Sequence, residues 1–528
     1  MLNVINLSIS FYTRNGVTQA VKDLSFSVKK GETLAIVGES GSGKSVSCQT
    51  IVGLVPSPPA KVESGAVEWQ NSDLLQQNEA QLRRIRGKKI SMIFQDPMTS
   101  LNPNMRIGTQ IVEALLEHSD AGPAQAKQRA IEALKEVGIE NAEQRFKAFP
   151  HQFSGGMRQR VMIAMALVTQ PDIVIADEPT TALDVTIQAQ ILELLAGLQK
   201  KHQLAIIFIS HDLAVVRNIA DHVIVMKSGT VVESGSPQQL FEQPKHPYTK
   251  KLIDAIPSGA KPQSRDSHAE NLIEIKNLST HFHTRHGAFW KPVKSVTVAA
   301  DNINISLKKG EILGLVGESG SGKSTLGRSI VRLVKPSKGE IRFAGKNLLQ
   351  LSPRQMQAIR PHIQMVFQDP YASLNPRMTV YDALAEPVCL HTSIGKAELP
   401  GYIAKLLDDV GMPEAAQNKY PHEFSGGQRQ RIAIARALAC SPQVIIADEP
   451  VSALDVTIQE QILALLLKLN AQRGISILFI SHDLSVVRYL CDRVAVMEKG
   501  RIVEINACEQ VFRQPAHAYT KSLLAAIP

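Results

Sequence analysis

Cysteine is scarce and unpatterned in this chain: Cys48, Cys389, Cys440, Cys491 and Cys508 are scattered, odd in number and free of any C-x-x-C pairing. That excludes a disulfide framework and a thiolate metal cluster, and predicts reduced, buried thiols of the cytosolic kind. No apolar stretch reaches the roughly 18–20 residues a membrane-spanning helix needs. Runs such as Val161 to Val168 have only the length of a core helix. The N-terminus carries no basic segment followed by an apolar one, so no secretory signal is expected. A long basic tract and an aromatic-interleaved basic patch are also missing. The net charge of +9 is spread along the chain, which speaks against nucleic-acid binding and suits a cytosolic protein that works near an anionic membrane face or is simply soluble. With 44% hydrophobic and 20% charged residues, the composition is that of an ordinary globular protein.

What the chain does have is a phosphate-binding loop, written twice. Gly38-Glu39-Ser40-Gly41-Ser42-Gly43-Lys44-Ser45 and Gly317-Glu318-Ser319-Gly320-Ser321-Gly322-Lys323-Ser324 both fit G-x-x-x-x-G-K-[ST]. Their lysines lie 279 residues apart, and the surroundings recur as well. Phe94-Gln95-Asp96-Pro97 returns as Phe367-Gln368-Asp369-Pro370 at an offset of 273. Ser154-Gly155-Gly156 returns as Ser425-Gly426-Gly427, Asp177-Glu178-Pro179 as Asp448-Glu449-Pro450, and His211-Asp212 as His482-Asp483, all at an offset of 271. Constant register over that distance means the whole half is duplicated. Each half has the size of one domain with its own core. The expected division is residues 1–257, a small, polar, Pro/Gly-bearing linker at 258–271, and residues 272–528. So short a tether favours pairing of the halves within one chain.

The chemistry follows from where these motifs sit. Thr33 to Val37 and Ile312 to Val316 read as buried strands of an α/β sheet, with a helix beginning near Lys44 and Lys323. The loop glycines let backbone N–H groups face phosphates, and the helix N-terminus adds its positive dipole end. Lys44 and Lys323 then neutralise β- and γ-phosphates, while Ser45 and Ser324 offer hydroxyls to Mg²⁺. Gly/Ser-rich turns are common, but the full motif twice over in strand–loop–helix context favours nucleotide binding. Ile173 to Ala176 and Val444 to Ala447 are again buried-strand runs, each ending in Asp-Glu-Pro. Asp177 and Asp448 can hold Mg²⁺ through its water shell. Glu178 and Glu449 are placed to polarise an attacking water. An acidic pair at a strand end can be a solvated rim; its place in an ordered motif set favours catalysis. His211 and His482 each stand 34 residues beyond the aspartate, after another apolar strand. An imidazole there can sense the γ-phosphate and orient glutamate and water.

Ser154-Gly155-Gly156 and Ser425-Gly426-Gly427, each 23 residues before its aspartate, resemble the signature motif of ATP-binding-cassette (ABC) ATPases. The resemblance covers nearly the whole chain. It implies an α/β protein with two P-loop nucleotide-binding domains in tandem, each a RecA-like core with a helical signature subdomain and an antiparallel β subdomain. In that family the signature of one cassette completes the ATP site of the other. Ser425 through Gln428 are therefore expected at the site built on Lys44, and Ser154 through Met157 at the site built on Lys323. Gln95 and Gln368 match the family's lid glutamine, which contacts Mg²⁺ and water. Ala182-Leu183-Asp184 and Ala453-Leu454-Asp455 match the loop that crosses the interface. Phe11 or Tyr12, and Phe282, match the adenine-stacking aromatic. One departure is Met157 where Gln428 stands in the second signature; methionine lacks the amide donor, so a modest asymmetry between two hydrolysing sites is expected.

Two further segments resemble the oligopeptide/dipeptide importer branch of the family. One follows each lid glutamine: Pro97 to Pro103 and Pro370 to Pro376. The other closes each half: His246-Pro247-Tyr248-Thr249-Lys250 through Pro257, and His517-Ala518-Tyr519-Thr520-Lys521 through Pro528. The two signature types resemble that branch's two separate ATPase subunits, fused in order, as in Yej-type importers of peptides and microcin C. The resemblance implies two membrane permease subunits and a periplasmic peptide-binding protein as partners, no nucleic acid, and a peripheral place on the cytoplasmic face of the inner membrane. Some members carry an iron–sulfur cluster after the first tail; residues 258–271 hold no cysteine, so none is expected here. The rival reading, a soluble tandem ABC protein acting on ribosomes or DNA, calls for a longer charged linker or inserted arms.

Overall fold

The computed structural model describes residues 1–528 except Asn15, Ala182, Ser258, Ala260, 262–269, 287–292, Ala453 and Pro528. Most of the expected linker, and the first residue of each interface-loop motif, thus lie outside the described residues.

The apolar runs flanking the motifs become the parallel strands of two like sheets. In the first half the six-stranded order is Thr230–Gly235, His222–Lys227, Thr33–Val37, Ala205–Ser210, Ile173–Asp177 and Ile90–Ile93. All neighbours are parallel except the first pair, which is antiparallel. The second half repeats it with Ile363–Val366, Val444–Asp448, Ser476–Ile480, Ile312–Val316, Arg493–Glu498 and Arg501–Ala507. Every residue of Thr33–Val37 and of Ile173–Asp177 is buried, because both sheet faces are covered. Successive side chains take opposite faces. Leu34 and Ile36 join one apolar core, and Ala35 and Val37 another.

The Leu34 core is shared with a four-stranded antiparallel sheet ordered Gly16–Val28, Leu2–Thr13, Ala60–Trp69 and Ser72–Asp73. Its counterpart is Val293–Lys308, Asn271–His286, Lys338–Phe343 and Lys346–Asn347. The Ala35 core receives the helices, among them Ile107–His118, Pro123–Glu136 and Gly155–Leu167. The helical layer carries the signature, and each half keeps its own pair of cores. The closing tails form helices Pro247–Asp254 and Ala518–Ala525. Among the described residues no helix is long and apolar enough to cross a membrane. All five cysteines are free, and only Cys48, Cys491 and Cys508 are buried. Cys389 is exposed and Cys440 half-buried, so burial holds for three of the five; burial pushes the Cys48 thiol well up.

Candidate active site

Both phosphate loops lie at the carboxyl ends of their strands, where α/β sheets bind ligands. Gly43 and Gly322 precede helices Lys44–Ile51 and Lys323–Ile330, matching the expected starts. Lys44 is buried, and its ammonium donates to the carbonyls of Gly38 (2.7 Å) and Glu39 (2.9 Å). Lys323 does the same to Gly317 (2.6 Å) and Glu318 (2.9 Å). Burial lowers both lysines, although the nearby carboxylates oppose it. The loops thus hold their cations in place, so little ordering remains when phosphate arrives.

Ser45 Oγ donates to Asp177 Oδ1 at 2.8 Å, and Ser324 Oγ to Asp448 Oδ1 at 2.8 Å. Burial raises both aspartates. The other Asp448 oxygen is buried and makes no hydrogen bond among the described residues, while Arg328 Nη2 stands 4.0 Å away. A hydroxyl beside a buried carboxylate with a spare oxygen is a donor set that suits Mg²⁺.

The glutamates are gathered by three neighbours in the first site. Glu178 Oε2 accepts from Gln95 Nε2 (2.8 Å) and Thr181 Oγ1 (2.9 Å), and lies 3.3 Å from His211 Nδ1. Glu449 Oε2 accepts from Gln368 Nε2 (2.9 Å) and lies 3.3 Å from His482 Nδ1. Burial would raise the Glu178 carboxyl, but the bond and charge of His211, with Thr181 and Lys44, hold it at about 2. Glu449 is lowered by His482 against the same burial. Both histidines are raised, their glutamates outweighing burial. These carboxylates stay ionised and accept hydrogen bonds, as a group that orients water must. Both sit at positive φ, 46° and 47°, a region that side-chain-bearing residues seldom occupy and that clusters at functional sites. Sequence reading passed over Thr181; the signal was a hydroxyl residue three places after each glutamate, with Ser452 as its counterpart.

The signature serines cap their helices. Ser154 Oγ accepts from Met157 N–H at 3.3 Å and Ser425 Oγ from Gln428 N–H at 3.4 Å. Gln428 Oε1 also accepts from Ser425 N–H at 3.1 Å, completing a capping box that Met157 cannot form. The Met157 departure therefore removes the reciprocal half of the capping box as well as the amide donor, while Ser154 still caps its helix. Gly156 and Gly427 are needed for packing: a Cβ there would meet Ile187 at 2.6 Å and Ile458 at 2.2 Å.

The halves meet head to tail. Asp455 Oδ1 accepts from Ser40 N–H at 2.9 Å, and Asp184 Oδ1 from Ser319 N–H at 2.6 Å. Each interface-loop aspartate thus holds the opposite phosphate loop. Thr457 Oγ1 also donates to Glu39 Oε1 at 2.5 Å, whereas its counterpart Thr186 is a buried hydroxyl with no partner among the described residues. A cavity of about 170 Å³ between the halves is lined by His211, Asp212, His482 and Asp483, with Ile256 and Ile527 from the tails. Of the adenine candidates, Tyr12 and Phe282 are exposed, and the Tyr12 hydroxyl donates to Glu63 at 2.7 Å.

Two duplicated α/β cassettes whose interface loops grip each other's phosphate loops are the design of an ABC ATPase, and the family and sequence comparisons agree. The ABC transporter family model matches residues 21–181 and 300–452, and the chain belongs to that family. The model for the oligopeptide/dipeptide transporter C-terminal region matches 232–285 and 503–528. The chain is thus a tandem ABC ATPase of the oligopeptide/dipeptide transporter type. It is 48% identical over 559 residues to the glutathione import ATP-binding proteins GsiA of Shigella boydii and Escherichia coli K12, covering 100% of this chain and 89% of each relative. A solved dimeric ATP-binding cassette, in a post-hydrolysis state with ADP and Pi, is 31% identical and matches 45% of this chain and 98% of its own at a TM-score of 0.41.

Proposed function

We propose that this chain is the ATP-hydrolysing subunit of an importer for short peptides, and that its two cassettes close on two ATP molecules at composite sites. The observation that carries the reading is reciprocal: Asp455 holds the amide of Ser40 while Asp184 holds that of Ser319. In each site the phosphate loop and Lys44 or Lys323 bind the triphosphate, and Ser154 to Gly156 or Ser425 to Gln428 approach from the other cassette. Glu178 and Glu449 hold the attacking water, with His211 and His482 keeping them ionised and Gln95 and Gln368 aligning them. Ser45, Asp177 and Gln95, and Ser324, Asp448 and Gln368, would hold Mg²⁺, which would supply charge neutralisation for the transferring phosphoryl group. Residues 1–257 and 272–528 are the two cassettes with their tails, joined by 258–271.

The partners that fit are two permease subunits gripped by the exposed segments after Gln95 and Gln368, and a periplasmic peptide-binding protein. A chain with those partners sits, on this reading, at the cytoplasmic face of the inner membrane. The relatives' printed cargo, glutathione, is itself a short peptide, which supports peptide-type cargo; microcin C, a peptide–nucleotide, is the finer reading drawn from the two fused signature types.

Uptake and turnover test this together. Lys44→Ala and Lys323→Ala are expected to weaken nucleotide binding. Glu178→Gln and Glu449→Gln are expected to retain ATP while each lowers turnover, the pair by about 10²-fold or more. Wild-type turnover in Glu449→Gln alone would sink the two-site mechanism. Uptake of labelled glutathione and of labelled microcin C, in cells carrying either lysine variant, discriminates the cargoes.

A further inference from the structure

The tails do something the phosphate-loop motif does not call for. Helix Pro247–Asp254 begins at His246, whose Nδ1 accepts from Tyr248 N–H at 3.1 Å. This fixes the first turn and sends the Tyr248 ring, only 5% exposed, beneath the phosphate loop. There its hydroxyl accepts from the backbone N–H of Glu39 at 3.3 Å. The second half repeats the device: His517 Nδ1 caps Tyr519 N–H at 3.2 Å, and the Tyr519 hydroxyl accepts from Glu318 N–H at 3.0 Å. Burial, aided by the adjacent loop glutamate, pushes both phenols up to about 12. They therefore stay neutral hydroxyls throughout the working pH range.

Glu39 and Ser40 are also where the other cassette arrives, through Thr457 and Asp455. Two adjacent loop residues are thus held from below by the cassette's own tail and from across by its sibling. We propose that Tyr248 and Tyr519 are positioning residues for ATP binding, each fixing the second residue of its phosphate loop so that the amides that follow face the phosphates. This rests on the reading of residues 38–45 and 317–324 as the ATP sites. Through this contact the C-terminal tail sets the nucleotide affinity of the cassette that carries it.

The test uses the full chain with Tyr248→Phe, Tyr519→Phe and the double variant, which keep the ring and remove only the hydroxyl. One lost hydrogen bond to a preorganised loop predicts a roughly two- to tenfold rise in KM for ATP and in the Kd of a fluorescent ATP analogue in each single variant. The double variant is expected to rise further, with kcat within twofold of wild type and Tm lowered by no more than a few degrees. Tyr248→Ala, which also empties the ring's site, is expected to add a Tm loss to the same KM rise. Unchanged KM and Kd in both Phe variants overturn the proposal, leaving the tail as packing alone. A fall in kcat at constant KM overturns it too, by moving the hydroxyl's role to the chemical step. Lys44→Ala in the same assay separates the premise: normal analogue binding there would remove the ATP-site reading and the inference with it.

Discussion

At the residue scale, the glycines of the phosphate loop are dictated by contact. Gly43 has φ 98°, and a Cβ on it would lie 2.4 Å from the carbonyl oxygen of Ala20 on the neighbouring antiparallel sheet. The loop can press against that backbone only without a side chain. Gly43→Ala is therefore expected to lower Tm by roughly 2–12 °C, from about 1–3 kcal/mol of strain, and to abolish binding of an ATP analogue. Thermal unfolding without nucleotide separates the two effects; an unchanged Tm would show that the loop relaxes. Lys44, Ser45, Asp177, Glu178 and His211 were all legible from motif order, because each sits at a strand end or helix start that local pattern reveals. Thr181 and Tyr248 were not. Tyr248 lies 209 residues from the amide it holds, and local pattern carries no record of such a pairing.

At the element scale, the core strands declared themselves because both their faces are buried, leaving runs such as Ile173 to Ala176 without a polar break. The antiparallel sheet was harder to read and entered only through family resemblance. Its register shifts near Asn6 and Asp23, where φ is 48° and 49°, breaking the alternation that marks such strands. Each tail is held by a half-buried carboxylate: Glu233 accepts from Lys245 N–H at 2.8 Å and His246 N–H at 3.0 Å, and Glu504 repeats this with Ala516 and His517. Burial would raise both glutamates, but hydrogen bonds leave them below the ordinary value. A depressed folded value means the stabilisation is complete above the unfolded carboxyl range, roughly pH 4.3. It is lost as pH falls through the lower folded value. Glu233→Gln is thus expected to be less stable than wild type at pH 7, with the gap closing at the acid end. Tm against pH measures the gap, and hydrogen exchange over 237–254 shows whether the tail is the part released. A gap independent of pH would mean that the carboxylate charge is not the anchor.

At the scale of the whole molecule, the question is what the duplication gains. Each phosphate loop has one of its outer amides held by an aspartate of the other half, so neither loop is finished by its own cassette. Asp455 starts helix Val456–Arg473 and Asp184 starts Val185–His202. These helices carry the isoleucines against which the signature glycines pack. A shift of one phosphate loop therefore reaches the opposite signature through a helix terminus. Asp184 is raised by burial, against its bond to Ser319 and the charge of Lys323, so it is an expensive acceptor to bury unless the halves stay together. Asp184→Ala and Asp455→Ala should leave Tm within a few degrees, since each removes one contact between separately cored halves. The Hill coefficient for ATP hydrolysis should fall toward 1, because the loops no longer feel the opposite cassette. A net loss on the order of 1.5–3 kcal/mol for a hydrogen bond to a charged group predicts roughly a ten- to hundredfold weaker coupling. Both halves belong to one polypeptide and so stay at high effective concentration in every variant, which keeps lost cooperativity from being assigned to dissociation. An undiminished Hill coefficient in the double variant would place the communication elsewhere, with the tails that line the same cavity the next surface to cut.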